Sequence, residues 1–208
     1  FDLKRCCPRR WPDRSLCCHS LKQHQRRDIL STEKVLEFWF AAETRKKWWV
    51  KEPQFDQQVA ETLGDLHRQA SDWSLDAWRD DAEGCLALVL LLDQVPRNIY
   101  RQDPRSFAFD AAALDVTRHA LEVGFDTLLT KQQRLFLYLP LEHSEALEDQ
   151  ERSVTLMTTL GDPETARHAI AHRDIIARFG RFPHRNAVIG RQSTAEEEAF
   201  LQQPGSSF

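Results

Sequence analysis

At 208 residues with 41% apolar content, the chain is long enough to bury a core of its own. Its net charge of −4 is uneven, because residues 1–30 carry eight lysines and arginines against three aspartates, a net +5 that leaves −9 on the rest. An acidic body excludes general nucleic-acid binding, which needs a basic face, and no apolar run is long enough for a signal peptide or a membrane span; a cytoplasmic protein without nucleic-acid or membrane partners is expected.

Residues 1–30 hold four of the five cysteines, as Cys6-Cys7 and Cys17-Cys18, with His19 and His24 nearby. Zinc knuckles separate their ligands by two to four residues, whereas these are adjacent pairs nine apart, so the spacing argues against a metal. The segment reads as a disordered or extraneous basic tail in front of a single helical domain spanning residues 31–208. Cys85 sits within an apolar run and reads as core.

From Ser31 the periodicity is helical. Ser31 or Thr32 is placed to cap "EKVLEFWFAAE", and after Pro53 the residues Phe55, Val59, Leu63, Leu66 and Ala70 repeat every three or four positions. "DAEGCLALVLLLDQ" is apolar on nearly every side, as suits a central helix, with Pro96 expected to end it. "RSFAFDAAALDVTRHALEVG" reads as a helix closed by Gly124, and "TKQQRLFLYL" as one capped by Thr130 and stopped by Pro140. "EALEDQERSVTLMTTLG" follows. "DPETARHAIAHRDIIARFG" has Pro163 in its first turn and closes at Gly180, and "STAEEEAFLQQ" carries two overlapping capping boxes, Ser193 with Glu196 and Thr194 with Glu197. No useful stretch alternates like a strand. The expected fold is all-α, about seven or eight helices with short connections packed as antiparallel pairs.

The unusual polar residues fall at helix ends, in "LLDQVPRNIYR", "YLPLEHSEALEDQ" and "RFGRFPHRNAVIGR". Each sets charged or amide groups beside aromatics, so the three segments either form a satisfied network or line a shared pocket walled by Tyr100, Tyr138, Phe179 and Phe182. "VLEFWFA" with "KKWW", then "LALVLLLDQVPRNIYR", "FLYLPLEHSE" with "DQERS", and "FGRFPHRNAVIGRQSTAEEEAFL" together resemble, in this order, the bacterial family catalogued as domain of unknown function 924, over about residues 33–208. The resemblance implies an all-helical, tetratricopeptide-like arrangement; it implies no activity.

Glu142, His143 and Glu145 lie within four positions and offer a base, an acid or a metal site if His172 or His184 joins them, although Ser144 and Glu145 are also ordinary helix-start residues. His168 and His172 stand one turn apart, without the intervening glutamate of a metalloprotease motif. No metal and no cofactor is expected. In the last segment, Gly180, Pro183 and Gly190 fix a backbone carrying Arg178, Arg181, Arg185 and Arg191, which would pair with Asp93, Glu142, Glu145 and Asp149 or meet an anion.

Three readings stay open. In the first, an enzyme or binder takes a small anion: Arg97, Arg181 and Arg185 clamp it, Asn98 and Asn186 orient it, and His143 or His184 with Glu142 moves protons. Arg101, Glu145, His172 and Arg191 complete that ligand-binding set. In the second, a helical-repeat-like module binds a peptide in a groove beside Trp48 and Trp49. In the third, the polar residues form a purely structural ion-pair network. "GDPETA" lacks the lysine and second glycine of a phosphate-binding loop, and no Gly-x-Ser-x-Gly occurs.

Overall fold

The computed structural model describes residues 31–206; the cysteine pairs and the tail expected over residues 1–30 lie outside them. Among the described residues all regular structure is helical, as the 3.6-residue periodicity implies. The first helix, α1, covers residues 31–40 and is already helical at Ser31, so the expected cap at Ser31 or Thr32 falls inside it. It buries Val35, Leu36 and Trp39. A bend at Ala41 leads into the single turn α2 (Ala42–Arg45), and α3 (Pro53–Ser71) follows with proline in its first turn. There the missing N–H costs nothing, and the stripe from Phe55 to Ala70 faces the core.

The centre of the molecule is one rod of three consecutive pieces: α4 (Ala82–Val89), a π turn over Leu90–Gln94, and α5 (Val95–Ile99). Residues 84–96 are buried throughout. At its start the Asp81 carboxylate accepts from Gly84 N at 2.8 Å. Gly84 lets the helix press on the 3-10 turn Asp76–Asp80, since a Cβ there would lie 2.0 Å from the Trp78 carbonyl oxygen.

Pro96 does not end this rod; it lies inside α5. An interior proline deprives a carbonyl of its donor. In the π turn Val95 N–H donates to Leu90 O, five residues back; by the same spacing Pro96 would have served Leu91 O. The fully packed His67 of α3 takes that place, its Nδ1–H donating to Leu91 O at 2.8 Å. Burial holds the His67 imidazole below its ordinary pKa, so the ring donates as a neutral species.

The second half runs through α6 (Asp110–Glu122), α7 (Lys131–Glu142), α8 (Leu147–Thr159), α9 (Pro163–Phe179) and α10 (Ala195–Leu201). The helix expected from Arg105 is broken, because Pro104–Phe107 forms a separate 3-10 turn before α6. Gly124 and Gly180 close α6 and α9 in the left-handed conformation, at φ of 78° and 67°. Thr130 caps α7 through a capping box with Gln133, and Pro140 sits within that helix rather than stopping it. Of the two overlapping boxes before α10, Thr194 with Glu197 is the one formed.

Neighbours along the chain pack on each other, α7 against α8 and α8 against α9, while α3 lies on α5 and α4 on α6. The main core holds Trp39, Phe55, Leu63, Leu86, Leu90 and Phe136; a smaller cluster joins Ile175, Ile176 and Phe182. Between the clusters lies a polar centre. No helix of the described residues is long and apolar enough to cross a membrane.

Candidate functional site

The π turn positions the first member of that centre. Asp93, with no exposed surface, accepts from His143 Nδ1 at 2.8 Å and Gln94 Nε2 at 2.7 Å, and Arg97 Nη1 stands 3.1 Å away. Arg97 also grips Asp110 with both terminal nitrogens, at 2.8 and 2.9 Å, joining α5 to the first turn of α6. Such two-point pairing fixes orientation as well as charge. Burial works against the Asp93 carboxylate, but Arg97, His143 and Gln94 together outweigh it and hold its pKa well below the usual range.

Arg185 reaches the same centre from the 3-10 turn Pro183–Arg185. Its Nη1 donates to Asp110 Oδ2 at 3.1 Å and its Nη2 to the His143 carbonyl at 3.0 Å. The guanidinium lies 4.7 Å from the ring centres of both Phe107 and Phe182, an arrangement that suits a planar, weakly hydrated cation. Its buried Nε finds no acceptor among the described residues. Burial pushes the Arg185 pKa down to about 10, and the nearby Arg97 adds to that.

Glu142, the last residue of α7, ends 3.2 Å from His172 Nδ1 of α9. Burial, then the Asp93 charge, raises the Glu142 pKa to about 8, so the group is mainly a neutral acid at pH 7. Burial lowers His172 to about 3, and it lowers His184 to about 4 with help from Arg185, His143 and Arg97. His143 is also held below its ordinary value, by burial and Arg97 against Asp93. A neutral His143 donates its Nδ1–H to Asp93 and keeps Nε2 as a proton acceptor. His172 and His184 flank Phe182 with ring centres 5.7 and 5.5 Å from it, and His143 lies 6.5 Å from His172.

The structure thus draws together Arg97, Glu142, His143, His172, His184 and Arg185 from the sequence-derived set. Glu145 and Arg191 flank them as a two-point pair at 2.7 and 2.9 Å, with Glu145 also accepting from Phe182 N. Other members are drawn elsewhere. Arg181 pairs with Glu197 at 2.6 and 2.7 Å, Arg101 pairs with Asp56, and Asn186 donates to Ser193. Asn98 donates to Gln94 O, inside its own helix. Tyr138 bonds Asp126 and Tyr100 stacks under Arg105, so neither serves as the wall expected of it. Sequence reasoning missed Asp110, an acid in the first turn of α6, and Phe107.

Among the described residues no group of three or more His, Cys, Asp or Glu side chains could hold a metal. Two surface hollows are lined by other residues, one including Phe40 and Lys131, the other including Asp80 and Asp115. The centre itself reaches the surface through the partly exposed Arg97, Asp110 and His143. Chemically it offers a proton acceptor, a neutral acid and two guanidinium groups within one cluster.

Comparison with known proteins adds a family and a fold. Residues 35–205 match the family described as a bacterial protein of unknown function, DUF924. The solved structure of a protein of unknown function from Agrobacterium tumefaciens is 38% identical, with a TM-score of 0.80 over 84% of this chain and 98% of that one. No curated protein matches.

Proposed function

Since the chain belongs to DUF924, a bacterial family of unknown function, its chemistry must come from its own residues, and we propose that the polar centre binds a small oxyanion beside a proton-transfer pair. The observation that carries this reading is Arg185: a guanidinium clamped between two aromatic rings, with one buried N–H left without an acceptor. A buried unpaired donor is costly, and a carboxylate or phosphate oxygen would satisfy it. Arg97 supplies further positive charge at the same place, and an arriving anion would favour protonation of the neutral His184 imidazole.

In this reading Arg185 binds, His143 accepts a proton at Nε2 with Asp93 fixing its ring, and neutral Glu142 donates one. Arg181 and Arg101, already committed to Glu197 and Asp56, drop out of the clamp. A reaction would follow only for an anion whose reactive atom lies within hydrogen-bond reach of His143.

The structural reading has its own support: Asp93 and Asp110 offset Arg97 and Arg185, so the helix ends of α5, α6 and α7 are tied by a balanced network. Thermal shift with inorganic phosphate, sulfate, acetate and oxalate separates the two, on wild type, Arg185→Lys and His184→Asn. An anion present at a hundred times its dissociation constant adds about 2.7 kcal/mol and raises the midpoint by several degrees. A shift in wild type that Arg185→Lys loses supports binding. No shift with any anion, with Arg185→Lys melting well below wild type, would leave the network as a lock.

A further inference from the structure

A second surface lies at the other end of α7 and is independent of the polar centre. The loop after α2 exposes Trp49 at 64% and Val50 at 49%. These are not loosely held groups. Trp49 stacks on the buried Phe136 at 5.8 Å with the rings 5° from parallel, and Trp48 meets Phe136 at 4.6 Å while its Nε1–H donates to Trp39 O at 2.9 Å. Phe40 closes the aromatic group, edge-on to both Trp48 and Phe136 at 5.7 Å.

Beside them is a hollow of about 330 Å³, lined by Phe40, Arg45 and Lys131 together with Thr130 and the two glutamines that follow Lys131. Its geometry is fixed by Arg45, which donates to Phe40 O at 2.8 Å and to Gln132 Oε1 at 3.0 Å. Lys46, Lys47 and Lys51 lie within three positions of Trp49 in the chain; Lys46 and Lys47 pair with Glu43 at 2.8 Å and Glu52 at 3.3 Å. The face therefore combines rigid exposed indole surface, a concave seat and an excess of cations, on a body whose residues outside the first thirty carry −9.

We infer that this face docks an acidic peptide segment of a partner protein, with one apolar side chain seated in the hollow against Phe40, the exposed Trp49 indole beside it, and carboxylates set against Lys131 and Arg45. Tryptophan and a preformed seat are what an anchor residue needs, and cations around it select negative flanks. A bilayer fits less well: the seat is concave, the rim already holds Glu43 and Glu52, and an acidic body is repelled by an extended anionic surface.

The test uses fluorescence polarisation with the full chain and a set of acidic peptides about twelve residues long, each carrying one central Trp, Leu or Ala, beside counterparts with lysine in place of every acid. Binding by the acidic Trp or Leu peptides is expected, weakened about tenfold or more by Trp49→Ala and by Lys131→Glu, and falling as salt rises. Both positions are exposed; in circular dichroism melts Lys131→Glu should match wild type, and Trp49→Ala, which gives up the stacking on Phe136, should stay folded with only a small drop. The inference is overturned if the lysine peptides bind equally, if no peptide binds, or if both variants bind as wild type does. Co-sedimentation with vesicles of phosphatidylserine and phosphatidylcholine, lost in Trp49→Ala while no peptide binds, would also overturn it and assign the face to membranes.

Discussion

Glu142 Oε1 and His172 Nδ1 face each other 3.2 Å apart across the contact between α7 and α9, as a neutral acid beside a neutral base at pH 7. Burial is the largest cause of both shifts, and it favours two neutral groups over an ion pair. His172 instead places Nδ1 2.9 Å from the His168 carbonyl, which a neutral ring satisfies as donor.

Stability should therefore fall on the alkaline side through Glu142. Its pKa rises from 4.5 to about 8 on folding, so the native state keeps a proton that the unfolded chain has released. Stability is full below the unfolded value and is lost at up to about 1.4 kcal/mol per pH unit as pH climbs through this window. Glu142→Gln should remove that slope. Urea midpoints across mildly acid to mildly alkaline buffers check this: the variant should gain on wild type as pH rises, and parallel curves would contradict it.

On the acid side His172 and His184 carry the largest shifts among the histidines. Their pKa values are depressed from 6.5 to about 3 and about 4, so the unfolded chain takes up protons first and stability falls as pH drops below 6.5 toward those values. His172→Gln should flatten part of this loss. NMR titration of the imidazole resonances reads the same property directly, and a His172 titrating near 6.5 would refute it.

His67 replaces the backbone donor that Pro96 lacks. Removing it in His67→Phe leaves the buried Leu91 carbonyl without that bond, for an expected loss of about 1–3 kcal/mol. Denaturant unfolding measures this, with His67→Gln, which keeps a donor, expected to lose less.

Gly84→Ala should be among the more damaging single-methyl additions. The new Cβ would meet the Trp78 carbonyl, a backbone atom unable to rotate away, so α4 must move off the Asp76–Asp80 turn. Overpacking of this kind costs about 1–3 kcal/mol or more. A calorimetric midpoint within a degree of wild type would show that the turn yields easily.

Much of the fold was legible because its signals are local. The spacing of Phe55, Val59, Leu63 and Leu66, the glycines at 124 and 180, and the Thr194–Glu197 box each act within a turn or two of chain. Pro96 and Pro140 misled because their tolerance is not local: what allows Pro96 inside a helix is a histidine on α3. The candidate site divides in the same way. Arginines clustered after Gly180 are visible in one dimension, but which carboxylate each one meets is decided in three. Arg185 finds Asp110, 75 positions earlier, and Arg181 finds Glu197, only 16 later. The first brings a residue into the centre, and the second takes one out of it.

The π turn over Leu90–Gln94 gives chain length at that point a meaning. A π turn closes with five residues where an α turn uses four, so deleting one position there would restore ordinary winding while the helix on either side keeps close to its register. The residue whose placement would change is Asp93, which belongs to that turn, and Pro96 would stand four residues beyond the Leu91 carbonyl instead of five. Among relatives, the number of residues between the cysteine at 85 and the arginine at 97 is accordingly a marker for whether the π turn that carries Asp93 forms. That spacing can be read from an alignment even where the individual side chains have drifted.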